Sequence, residues 1–60
     1  EVTIQCAGMT KVEVFSIDGG LVQSIEVKDD TCWIEGLKHG VYVIRIFKGE
    51  LTIMRRLIIR

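Results

Sequence analysis

Asp18-Gly19 stands between two runs, Lys11 to Ile17 and Leu21 to Val27, that are dense in β-branched and aromatic residues. This constrains the fold more than any other feature, because Asp-Gly between alternating apolar residues is the strongest short-range mark of a β-hairpin. A type I′ turn needs two successive positive φ values, which Asp-Gly tolerates, so the spacing predicts that turn at Asp18 and Gly19. Lys11 to Ile17 sets Val12 and Val14 opposite Lys11 and Glu13, and Phe15 and Ile17 add apolar surface to the second face.

The rest of the chain reads the same way. Val2 to Cys6 is a short strand with Val2, Ile4 and Cys6 on one face, and Ala7 to Thr10 turns the chain with Gly8 supplying backbone freedom. Lys28-Asp29-Asp30 is a polar turn before a strand at Thr31 to Ile34, and Glu35 to Gly40 is a connection. Val41 to Lys48 is the most apolar strand, with Tyr42, Ile44 and Ile46 on one face and Val41, Val43, Arg45 and Phe47 on the other. Gly49-Glu50 turns it into a last strand, Leu51 to Ile59. No helix-period stripe competes, and no proline interrupts a strand interior. The expected fold is all-β, a small antiparallel Ig-like β-sandwich of about six to seven strands.

Sixty residues allow a single domain with one thin core. A chain of this size buries only about 60% of its unfolded surface, so stability is expected to be marginal. Eight basic and eight acidic side chains cancel, which removes the electrostatic footprint of a general nucleic-acid binder. The apolar residues fall in runs far shorter than a bilayer-spanning helix requires. Glu1 to Cys6 has neither the basic nor the apolar stretch of a cleavable leader, so the sequence reads as starting inside, or following, a mature protein.

Neutrality conceals an asymmetry. Glu1 to Gly36 holds seven acids against two bases, net −5, and Leu37 to Arg60 holds six bases against Glu50 alone, net +5. Two readings coexist: opposite-sign strands paired within one sheet, and a basic end offered to an acidic partner.

Chemistry is sparse. His39 is the only histidine and sits in the turn Lys38-His39-Gly40, where it reads as an exposed turn residue rather than a base beside Cys6. Two cysteines and one histidine without C-x-x-C spacing do not make a metal site, and Asp29-Asp30 reads as a solvated turn rather than a calcium site. No catalytic residue, metal or cofactor is therefore assigned, and the chain is not read as an enzyme. Cys6 and Cys32 read either as a disulfide, which would stabilise by roughly 3 kcal/mol in the chain-entropy account, or as two buried thiols. Trp33 is expected in core or interface packing, with a sugar-stacking surface as the alternative.

Three motifs in order add a resemblance. Lys11-Val12-Glu13-Val14-Phe15-Ser16-Ile17-Asp18-Gly19-Gly20-Leu21-Val22 is similar to a motif in which an alternating strand ends in an aromatic, a small polar residue, an aliphatic, Asn or Asp, and Gly. Ile34-Glu35-Gly36-Leu37-Lys38-His39-Gly40-Val41-Tyr42-Val43-Ile44-Arg45-Ile46 is similar to the second: Leu, two residues, Gly, aliphatic, Tyr and an aliphatic strand. Arg56-Leu57-Ile58-Ile59-Arg60 resembles a closing motif of base, aliphatics and base. Together they resemble the C-terminal sorting domain of cargo proteins of the type IX (Por) secretion system of Bacteroidetes. Two departures stand out. The chain begins at Glu1-Val2-Thr3-Ile4 without the family's usual Tyr-Pro-Asn-Pro-like opening, and it carries Lys38 and Gly20 where Pro and a longer polar residue are common.

The resemblance implies that residues 1–60 are one C-terminal sorting domain with its first strand segment truncated. It implies cargo that passes through the periplasm, is recognised by the outer-membrane translocon, and reaches the outer-membrane surface or extracellular space. A sortase-like cysteine peptidase would remove the domain, and an N-terminal cargo domain would precede it. The expected recognition residues are Gly40, Tyr42, Arg45, Arg56, Leu57, Ile58, Ile59 and Arg60. Alternatives of other classes are a carbohydrate-binding sandwich and a structural accessory domain. Exposed strand edges add the expectation of a homodimer or strand-swapped dimer.

Overall fold

Alternation in the second strand decides the layering. In the computed structural model, which describes residues 2–60, Val12 and Val14 are fully buried while Lys11, Glu13 and Phe15 turn to the opposite side. Six strands form, β1 (Val2–Gln5), β2 (Met9–Ser16), β3 (Leu21–Glu26), β4 (Thr31–Ile34), β5 (Gly40–Lys48) and β6 (Leu51–Ile59), and the described residues contain no helix. They make two antiparallel sheets, a β1-β4 ribbon and a four-stranded sheet in the order β3-β2-β5-β6. The ribbon packs on one face of the larger sheet, giving an all-β sandwich only 14 Å across its thinnest axis.

The core is the seam between these layers. Met9, Val12 and Val14 from β2 and Ile44 and Ile46 from β5 meet Cys32 and Ile34 from β4, with Val27 closing one end. Ile4 pairs with Cys32 and Val2 with Ile34, so both strands of the ribbon present their apolar side to the same seam. Those aliphatics supply most of the driving force, at about 25 cal/mol per Å² of apolar surface removed from water.

The first hairpin departs from the expected turn. Asp18 has negative φ and only Gly19, at φ 97°, is left-handed. Ser16 N–H donates to the Gly20 carbonyl at 2.8 Å and Gly19 N–H donates back to the Ser16 carbonyl at 2.9 Å. The loop therefore holds three residues, Ile17, Asp18 and Gly19, with one left-handed position in place of the two that type I′ requires. The Ser16 hydroxyl donates to the Asp18 carboxylate and accepts from the Gly20 N–H, tying the loop without a second positive φ. At Gly49-Glu50 the turn joins the paired residues Lys48 and Leu51, with Gly49 at φ 60° in the first position.

Other boundaries shift for identifiable reasons. β2 begins at Met9 rather than Lys11, because Met9 is buried and pairs with Lys48 across a bulge. Cys6 and Val27 lie just outside β1 and β3, although each keeps a backbone bond, Cys6 N–H to the Asp30 carbonyl and Val27 N–H to the Thr10 carbonyl. Trp33 is not in the core, which corrects that half of the expectation of core or interface packing. Between Cys32 and Ile34, which face the seam, it points away from the core and is 57% exposed.

Candidate recognition surface at the β5-β6 hairpin

β5 and β6 pair along their whole length, from Lys48 opposite Leu51 to Gly40 opposite Ile59. Seven of the eight residues expected to carry recognition thus fall on one hairpin, and Arg60 directly follows it. They divide between its faces. Tyr42 lies opposite Leu57 and Gly40 opposite Ile59 on the side toward the ribbon, while Arg45, Arg56 and Ile58 belong to the outer side.

Tyr42 and Gly40 are tied into the fold. The Tyr42 hydroxyl donates to the Lys38 carbonyl at 2.7 Å, a bond from strand to preceding loop resembling the tyrosine corner of β-sandwiches. Gly40 has φ 149°, and a Cβ there would lie 3.8 Å from the Tyr42 ring, so backbone conformation rather than space calls for glycine. These two residues fix where the Lys38-His39 loop enters β5.

Arg45 is also engaged. Its guanidinium lies 5.1 Å from the Phe15 ring centroid and 3.7 Å from the Glu13 carboxylate. Glu13 is shared with Lys11 at 3.4 Å, and the Lys11 ammonium lies 5.6 Å from the Phe47 centroid. These contacts form a charged belt across β2 and β5, its pairs worth a few tenths of a kcal/mol each.

β6 differs. Arg55, Arg56 and Arg60 are exposed, and among the described residues none of the three has a carboxylate within salt-bridge distance. β6 is also an edge strand. Counted from the Lys48-Leu51 pair, alternate residues direct their backbone groups toward β5, and Thr52, Met54, Arg56 and Ile58 direct theirs outward. Arg55 Nη1 donates to the Met54 carbonyl at 3.1 Å, covering one of those outward groups with its own side chain.

Sequence reading set Phe15, Ile17, Val41 and Val43 on the second face of their strands but did not show that they converge beside this edge. Ile17, at the hairpin tip and 73% exposed, joins Val41, Val43 and Met54 in a shallow trough of about 310 Å³ bounded by Arg55 and Arg56. A second depression continues it past Phe15 to Arg45. The available signal was an isoleucine at a hairpin tip together with aliphatics on both sides of β5, which marks a strand with neither face fully polar.

The remaining candidate groups lie elsewhere. His39 is exposed in its loop. Cys6 and Cys32 are free thiols; Ile4, not Cys6, is opposite Cys32, and burial raises the Cys32 thiol pKa above its ordinary value. Asp30 is a backbone clamp: at φ 58° its carboxylate accepts from the Gly8 N–H at 3.0 Å and its carbonyl accepts from Cys6. Among the described residues no three His, Cys, Asp or Glu side chains converge.

No curated protein and no solved structure matches the chain. The family model described as "Secretion system C-terminal sorting domain" matches residues 1–60, the full length. This is the type IX sorting-domain family of Bacteroidetes, whose members direct export to the outer-membrane surface or extracellular space. The chain therefore belongs to the family of secretion-system C-terminal sorting domains, and its activity is that of a type IX sorting signal.

Proposed function

We propose that the outer-membrane translocon of type IX secretion reads this domain chiefly at the β6 edge. The observation that carries the reading is an edge strand with unpaired backbone groups and three arginines that lack a carboxylate neighbour among the described residues. Strand addition satisfies the backbone groups, and charge pairing supplies orientation and selectivity. Arg56, Leu57, Ile58, Ile59 and Arg60 form the contacted segment. Gly40 and Tyr42 hold β5 so that β6 is presented in register, and Arg45 closes the outer face beside it. Cargo attached to the domain passes through the periplasm and is delivered to the cell surface, where a sortase-like cysteine peptidase removes the domain. The domain is ligand and substrate in this sequence of events and catalyses none of it.

The test is localisation of a fluorescent reporter fused ahead of this domain, with the family's opening segment placed between them, in a type IX-competent bacterium, with and without residues Arg56 to Arg60. Surface delivery that requires both the translocon and that segment is the expected result. Retention of both fusions in the periplasm would overturn the reading. It would favour an accessory or sugar-binding sandwich, for which the exposed Trp33 is the one supporting feature, and quenching of Trp33 fluorescence by glycans would then be measured.

A further inference from the structure

The charges on β6 specify more than an edge. Its sequence places Arg55 and Arg56 side by side at the middle of the strand, with Ile53 and Met54 before them and Leu57 and Ile58 after them. Successive strand residues face opposite sides, so one arginine lies on each face of the sheet at the same level. A strand added beside β6 would set each of its residues next to one of these on the same face. Its middle two positions would meet one arginine on each side, and its flanking positions would meet aliphatics on both sides.

Resting on the reading of β6 as the recognised edge, we infer that its partner is an extended peptide segment with the pattern apolar-apolar-acidic-acidic-apolar-apolar. Backbone geometry selects a peptide over an anionic lipid or polysaccharide. Thr52, Met54, Arg56 and Ile58 turn alternating N–H and C=O groups outward, a spacing matched by another β-strand. The trough adds apolar capacity on the outer side, where Met54 and Val43 line a depression reached from the edge.

The same charges disfavour the commonest competitor, a second β6 paired through the middle of the strand. In an antiparallel β6-β6 pair centred on Arg55, that residue faces its own copy. In a pair centred on Arg56, Arg56 does the same. Like charges directly opposite destabilise a strand pair. The neutralising partner must therefore come from a chain with acidic residues at the centre of its strand.

The experiment titrates the 60-residue chain with two blocked synthetic peptides of that pattern, one with Glu-Glu and one with Lys-Lys at the centre, reading backbone amide shifts by NMR. The expected result is that the Glu-Glu peptide shifts the amides of Thr52, Met54, Arg56 and Ile58 and binds about tenfold more tightly than the Lys-Lys peptide, with the difference shrinking at high salt. R55E/R56E should invert the preference, and R55Q/R56Q, which keeps side-chain length, should abolish it. Equal binding of both peptides, or shifts confined to β3 or the ribbon, would overturn the inference. Surface delivery of the reporter that still depends on β6 would leave the proposed function standing in that case, so the two failures are distinguishable.

Discussion

At residue scale, the structure separates side chains that hold the fold from those left free to act. Tyr42 stands out in the sequence as an aromatic in an aliphatic strand, which suits recognition as well as packing, and only its bond to the Lys38 carbonyl shows it anchoring a loop. Ile17 and Trp33 were illegible for the opposite reason. Hydrophobicity predicts burial, but a chain this small has too little second layer to cover every apolar residue. Asp18 offers a clean measurement. Its carboxyl is held below the ordinary value of 3.8, first by the Ser16 hydroxyl and then by the Gly20 backbone. A carboxyl depressed on folding adds stability that is present above its unfolded value and lost as pH falls through its folded value. An NMR titration should place the Asp18 midpoint below 3.8 in the native chain and return it toward 3.8 in Ser16→Ala. An unchanged midpoint in that variant would show that the hydroxyl contributes nothing.

At element scale, the strands were legible because β-branched density and alternation are local properties. Strand partners were not. β1 pairs with β4 across the whole first hairpin, and β2 lies between β3 and β5 in the sheet. Such pairings are decided by which apolar faces must share one seam, which the alternation of a single strand does not specify. The hairpin loop failed for a subtler reason. Asp-Gly is compatible both with a two-residue type I′ loop and with a longer loop carrying glycine at one left-handed position, and Ser16 tips the choice by bonding Asp18 and Gly20. Gly19 tests this account, since a Cβ there would meet nothing within 4 Å and only its φ of 97° is at stake. Gly19→Ala should destabilise the domain by about 1 kcal/mol, read from chemical denaturation, without changing the β-sheet circular dichroism. A neutral result would mean that the loop relaxes to a conformation without a left-handed residue.

At the scale of the whole molecule, a two-stranded ribbon covers one face of a four-stranded sheet and leaves the outer face and the β6 edge bare. The net charges of the two halves were legible, yet their arrangement was not. Of the ion pairs among the described residues only Glu13-Arg45 joins neighbouring strands, so cross-strand pairing absorbs little of the asymmetry. Instead the sheet grades from β3, whose one charge is Glu26, through the mixed charges of β2, to the arginines of β6. That gradient leaves the two edges unlike each other. Long apolar edge strands invite pairing with copies of themselves, and charged side chains are a common guard against it. β6 needs such a guard, because apart from Thr52 and its two arginines it is wholly apolar. Arg55→Thr combined with Arg56→Thr keeps β propensity while removing the charge. Sedimentation velocity should then show concentration-dependent dimers of the variant, with the amides of Met54 and Ile58 gaining protection from hydrogen exchange. Dimers of the native chain should form, where they form, through the β3 edge and leave those amides exchanging freely. A variant that stays monomeric at millimolar concentration would mean that twist or the bare apolar face, rather than the arginines, keeps this edge from pairing with itself.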